Sequence, residues 1–137
     1  MAKESGLGMT VAVDDSSAAA RSIENDITSL TFGTPSAVQD VTGVDSSSHE
    51  RILLLADMTV ALAGVFNDAA TLSHAVFKDY RTLSGAEVGR TTTIVHSGQT
   101  LADEILYRTY DLNRAADGSL TWSAPGDLSD GGTVAWA

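Results

Sequence analysis

Cysteine is absent from the 137-residue chain, which excludes a disulfide framework, a thiolate zinc site and a cysteine nucleophile, and suits folding in a reducing cytoplasm. Cations are scarce. Eight Lys and Arg against eighteen Asp and Glu give a net charge of -10 and a pI near 4.4. Holding a phosphate backbone requires clustered cations, so DNA binding is not the expected task, although work beside DNA stays open. Aromatic residues make up only 6%, fewer than a ring-lined ligand site would want. Membrane-spanning length is lacking too, because Asp57 interrupts the one long apolar run, and Met1 to Gly8 holds no apolar h-region. Neither a membrane span nor a signal peptide is expected. With 43% hydrophobic residues the chain can bury one substantial core, and nothing in its composition asks for a second domain.

What is present is organised by the stretch Arg51 to Phe66. Its even positions, Ile52, Leu54, Ala56, Met58, Val60, Leu62, Gly64 and Phe66, carry no polar side chain, whereas its odd positions include Arg51, Asp57 and Thr59. Period two makes this a long, bent strand with one dry and one wetter face. Other strands are expected at Met9–Val13, at Ile27–Phe32, at Arg90–Ser97, over Leu101–Asn113 with Leu106, Tyr110 and Leu112 on one face, and at Leu120–Ser123 after a tight turn at Gly118. Asn67-Asp68 offers a cap for an amphipathic helix over about 69–80. Its stripe Leu72, Val76 and Tyr80 should cover the sheet residues Met58, Val60 and Leu62, with Phe77 at the edge and His74 and Lys78 opposite. Gly85 belongs to the connection that follows. Gly33 to Glu50 shows no sustained period and reads as a long loop; loops of this length are usually functional or ordered by a partner, the alternative being a tolerated surface insertion.

The search for chemistry finds nothing sharp. His49, His74 and His96 stand in no metal-binding spacing, no serine sits in a G-x-S-x-G elbow, and Gly6-Leu-Gly8 lacks the rest of a phosphate loop. Asp103-Glu104 would point to opposite faces of a strand, and the Asp127/Asp130 pair lacks the remaining ligands of a calcium loop. No cofactor, no metal and no enzymatic activity are expected.

Six segments in order, Asn25–Phe32, Val38–Gly43, Glu50–Asp57, Leu62–Asn67, Ser97–Glu104 and Asp117–Ser123, resemble the major tail tube proteins of long-tailed, siphovirus-type bacteriophages, particularly those of actinobacterial hosts. The resemblance runs through nearly the whole chain. It implies a mainly β sandwich or barrel subunit with a flanking helix, forming a single tail-tube domain over 1–137 with an N-terminal arm (1–8), the long loop (33–50) and a C-terminal arm (124–137). It also implies a structural virion protein of the tail, assembled in the host cytoplasm. Copies would join into rings, usually hexameric, that stack into the conduit for DNA ejection. Tape measure, tail terminator and distal tail proteins would be neighbours, and genomic DNA would pass without specific binding.

On that footing the loop residues Val38, Gln39, Asp40, Val41, Thr42 and Val44 are candidates for the contact between stacked rings. Asp57, Thr59 and Ala61, on the smaller and more polar face of the central strand, are candidates for the channel lining. A soluble β-sandwich module that binds a ligand or carbohydrate, and a small enzyme with an unrecognised site, are the competing classes.

Overall fold

The structure, a computed structural model, describes residues 3–81, 89–129 and 131–137; the connection around Gly85 and the position of Asp130 lie outside them. Among the described residues the strands are β1 (Thr10–Asp14), β2 (Ala20–Ser22), β3 (Ile27–Gly33), β4 (Ser36–Asp40), β5 (Arg51–Ala56), β6 (Thr59–Val65), β7 (Arg90–His96), β8 (Gln99–Tyr107), β9 (Asp111–Arg114) and β10 (Leu120–Leu128). The described residues also include a 3-10 turn at Glu24–Asp26 and one α-helix, α1 (Ser73–Phe77), between β6 and β7. An eight-stranded antiparallel sheet runs β2-β1-β7-β8-β10-β6-β3 with β9 beside β10, while β4 and β5 pair only with each other. The mainly β class with one flanking helix is as the sequence indicates.

Alternation sets the core where a strand has a covered face. Met58 and, in β6, Val60, Leu62 and Gly64 are buried, and their cross-strand partners Gly126, Ala124 and Trp122 are buried with them. The long central strand, however, breaks at Asp57-Met58 into β5 and β6. The Asp57 carboxylate accepts from the Met58 N–H (2.8 Å), the Asp57 N–H turns to the carbonyl of Pro35 (2.8 Å), and Pro35 itself has no N–H to continue a ladder.

The expected strand over Leu101–Asn113 is likewise two strands, β8 and β9, and its inward face is the opposite of the one read from Leu106 and Leu112. Leu101, Ile105 and Tyr107 are buried, whereas Leu106 and Leu112 are exposed. The two-residue turn at Ser97-Gly98, where Gly98 takes φ +76, fixes the pairing of Ile94 with Leu101, and that register decides the face. Ala124 to Leu128 belong to β10, so the C-terminal tail starts later than expected.

The helix covers only part of 69–80. Residues 69–72 form a turn closed by the Leu72 N–H on the Ala69 carbonyl (3.1 Å), Asn67 Oδ1 accepts from the Ala69 N–H (3.0 Å), and α1 begins at Ser73, whose N–H donates to the buried Asp26 carboxylate (3.1 Å). Asn67 Nδ2 donates to the same carboxylate (2.9 Å), so Asp26 satisfies one of the free donors at the helix start. Val76 and Phe77 are fully buried, while Leu72 and Tyr80 are only half-buried. Phe77 is thus the centre of the apolar stripe, not its edge. It meets Tyr107 (5.1 Å between ring centroids), Trp122 (5.2 Å) and Tyr110 (5.7 Å). His74 does not face solvent: its ring lies 4.8 Å from that of Phe66, and Nδ1 is 3.1 Å from the Tyr110 hydroxyl. At the far end of the helix the buried Arg90 guanidinium donates to the carbonyls of Val76, Asp79 and Asp14.

The Asp26 backbone runs so close to β6 that a Cβ at Gly64 would sit 1.9 Å from the Asp26 carbonyl oxygen. Backbone cannot yield as a flexible side chain can. Gly64→Ala is therefore expected to cost at least the roughly 1–3 kcal/mol typical of overpacking, read as a lower urea midpoint.

Candidate assembly surfaces

Two surfaces stand out once the core is assigned. The first is the outer side of β3, β6 and β10, where the registers align three rows of small or short polar residues. These are Gly33, Thr59 and Asp127; Thr31, Ala61 and Pro125; and Ser29, Ala63 and Ser123. Thr59 and Ala61 are exposed here, and Asp57 is exposed just before them, so the three channel candidates lie together on the face turned away from the core. The single strand-interior proline is accommodated because the backbone of Pro125 opens to the gap between β8 and β9. There its carbonyl accepts from the Arg108 N–H (3.0 Å), and its missing N–H leaves no ladder partner stranded. Arg108, at the edge of this face, is paired with Asp127 (3.1 Å).

The second surface is the arm formed by β4 and β5. Sequence reading took 33–50 as a loop without structure, but Ser36–Asp40 pairs antiparallel with β5 through Val38–Leu53, Gln39–Ile52 and Asp40–Arg51. The strand was missed because every residue of β4 and β5 is exposed, and without a covered face there is no alternation to read. Leu53 and Leu55 are 75% and 87% exposed, and Val38, Val41, Val44, Ile52 and Leu54 are also open.

A polar clasp closes the outer end of the arm. The Thr42 hydroxyl accepts from the Glu50 N–H (2.8 Å) and donates to Asp40, whose other oxygen meets His49 Nδ1 (3.0 Å), while the Val41 N–H donates to the Glu50 carbonyl (2.9 Å). The Thr42 hydroxyl and N–H hold the Asp40 carboxyl below the usual carboxylate range. Gln39, Asp40, Val41 and Thr42 are thus part of a hydrogen-bonded hairpin, and the chain turns at Val44, where the Ser46 N–H donates to the Gly43 carbonyl (3.1 Å).

Elsewhere, Trp136 lies along the start of β8, where the Thr100 and Ala137 backbones exchange two hydrogen bonds of 2.8 Å, and its ring is 6.0 Å from Phe32. The sheet must curl for one tail residue to touch both β8 and β3. Among the described residues no group of His, Asp or Glu is placed to hold a metal ion. On the outer face of β1, β7 and β8 the Thr91 hydroxyl donates to Glu104 beside Asp14. Partial burial, together with the charges of Glu104 and Asp15, raises the Asp14 carboxyl above its ordinary value of 3.8. A raised folded-state value means that stability from this group is present below about pH 3.8 and is lost as pH rises through the raised value. Asp14→Asn should therefore raise the melting temperature at neutral pH, and the gain should vanish near pH 3, as a pH series of thermal melts would show.

No protein-family model and no curated protein matches the sequence. Among solved structures the fold is similar to a chain in the virion of a native gene transfer agent particle, with a TM-score of 0.73 and 15% identity, covering 98% of this chain and 99% of that one. It is equally similar to a chain in the tail of an empty gene transfer agent particle of C6 symmetry, with a TM-score of 0.73 and 16% identity, covering 98% of each chain. At these identities the likeness establishes the fold: this chain has the mainly β fold of a subunit found in those particles.

Proposed function

We propose that the chain is a structural subunit of a virion tail tube. Copies of it would close into hexameric rings, and the rings would stack into the conduit for DNA ejection in a long-tailed phage, one of an actinobacterial host by the motifs of its sequence. The observation that carries this reading is the full-length likeness in fold to a chain from a tail of C6 symmetry. Two features of the chain agree with it. The outer face of β3, β6 and β10 carries small, uncharged or acidic side chains, a lining that would not neutralise phosphates and so would let DNA slide past. The arm exposes aliphatic side chains on a well-ordered hairpin that its own subunit does not cover, as a contact with a neighbouring ring requires. Asp57, Thr59 and Ala61 would face the channel, and Val38 to Thr42 with Val44 would meet the next ring. Terminator, tape measure and distal tail proteins would cap or fill such a tube, and assembly would take place in the host cytoplasm.

The ligand-binding alternative loses ground on where the aromatic rings go. Phe66, Phe77, Tyr107, Tyr110 and Trp122 are joined in one cluster between helix and sheet, which leaves few rings for stacking against a sugar. Sedimentation at increasing concentration separates the readings: rings and longer polymers are expected, whereas a stable monomer at high concentration would favour the binding module.

A further inference from the structure

Of the two tryptophans, Trp122 is buried in the core, whereas Trp136 is 49% exposed beside the start of β8. Its ring is nonetheless held in place. The Ala137 backbone is tied to Thr100 by two hydrogen bonds of 2.8 Å, and the Phe32 ring stands 6.0 Å away at a tilt of 54°. With Met9 the ring lines an open cleft of about 480 Å³ whose remaining wall is polar, made by Glu4, His96, Ser97 and Gln99. Ser97 and Gln99 are exposed. His96 is left unsatisfied: among the described residues neither ring nitrogen has a hydrogen-bond partner although both are shielded from solvent, and Nε2 stops 3.9 Å from the Glu4 carboxylate. Buried polar groups without partners are uncommon and call for an explanation.

The geometry points to a binding site for a neutral sugar in this cleft, with Trp136 as its platform. A sugar ring has a face of C–H groups and a rim of hydroxyls, so it suits a flat apolar ring bordered by donors and acceptors. The Gln99 amide offers both. A hydroxyl placed between Glu4 and His96 would donate to the carboxylate and accept from Nε2–H, closing the gap that leaves His96 unpaired. Anionic ligands are disfavoured by Glu4 and by the net charge of -10. A purely apolar partner would strand the polar side chains of the wall. This site goes beyond the tail reading and does not depend on it; in a ring, its repetition would let weak individual contacts act together.

Acrylamide quenching of tryptophan fluorescence tests the site on the full chain, because Trp122 is hidden and Trp136 supplies the quenchable signal. The probes are glucose, galactose, mannose, arabinose and N-acetylglucosamine, with choline as the cationic comparison. At least one sugar should protect Trp136 saturably. Gln99→Ala should weaken that protection several-fold at an unchanged melting temperature, and Trp136→Leu should abolish it. No saturable protection by any of the sugars, protection by choline alone, or protection that Gln99→Ala leaves unchanged would overturn the proposal. A Trp136 ring that acrylamide cannot reach in the sugar-free protein would place it in a contact between copies and would overturn it as well. Quenching is read in the same way from monomers and from polymers, so a failure of the tail reading in sedimentation is a separate result.

Discussion

Excising the arm at its base, with a short Gly-Ser linker joining Pro35 to Asp57, is expected to leave a folded subunit that no longer makes long tubes. The base is already closed: the Asp57 N–H donates to the Pro35 carbonyl at 2.8 Å, and Gly33 pairs with Thr59 in the body of the sheet. All five residues of β4 and all six of β5 are exposed, so removing them takes nothing from the core. A shorter connection also costs less loop-closure entropy. Assembly is a different matter, because fully burying one Leu, Ile or Val side chain contributes roughly 1.5–3 kcal/mol, and the arm exposes seven of them: Val38, Val41, Val44, Ile52, Leu53, Leu54 and Leu55. Losing all of them should abolish stacking under conditions where the parent polymerises. If the shortened protein forms tubes as well as the parent, the arm over 36–56 is a tolerated insertion and the ring contact lies elsewhere.

The largest effect on the subunit itself is expected where the helix meets the sheet. Phe77 is fully buried among three aromatic rings, and Phe77→Ala should cost about 3–5 kcal/mol in equilibrium urea unfolding, from lost transfer energy and the cavity left behind. Val76→Asp should be comparably severe, since it places a carboxylate without a partner in the core. The sequence suggested that His74→Asp would be nearly silent. With His74 set between Phe66 and Tyr110, its replacement should instead cost about 1 kcal/mol, the scale of an aromatic pair. A silent His74→Asp would return that residue to the solvent face, and a mild Phe77→Ala would mean that the ring cluster is loosely held.

Legibility in the sequence followed burial. Val60, Leu62 and Gly64 alternate because one side of β6 is dry, and the same rule located β1, whereas β7 was legible from its β-branched residues and the β9-β10 hairpin from the turn at Gly118. It failed where burial was absent or where partners came from far along the chain. β4 has no buried residue, so Val38 and Val41 show no period. In β8 the register set at Gly98 overrode an alternation that ran across the break at Arg108 to Tyr110. Asp26 is one of several acidic residues in the sequence. Its hold on Ser73 and Asn67 spans more than forty positions, and only the close approach permitted by Gly64 brings them together. That Asp57, Thr59 and Ala61 are exposed was legible because the odd positions from 57 to 61 are small or polar. The exposed apolar arm was legible only as hydrophobic content, since its separation from the core depends on the break at Asp57-Met58.

The measurement that bears most directly on the assembly reading is a cryo-electron microscopy map of the polymer formed by the purified protein at high concentration. The map is expected to show a hollow tube of stacked six-fold rings, with Thr59, Ala61 and Ser123 facing the channel and each arm between neighbouring subunits. A protein that stays monomeric at every concentration, or a tube whose channel is lined by the arm residues Leu53 and Leu55 with Thr59 and Ala61 turned outward, would contradict it.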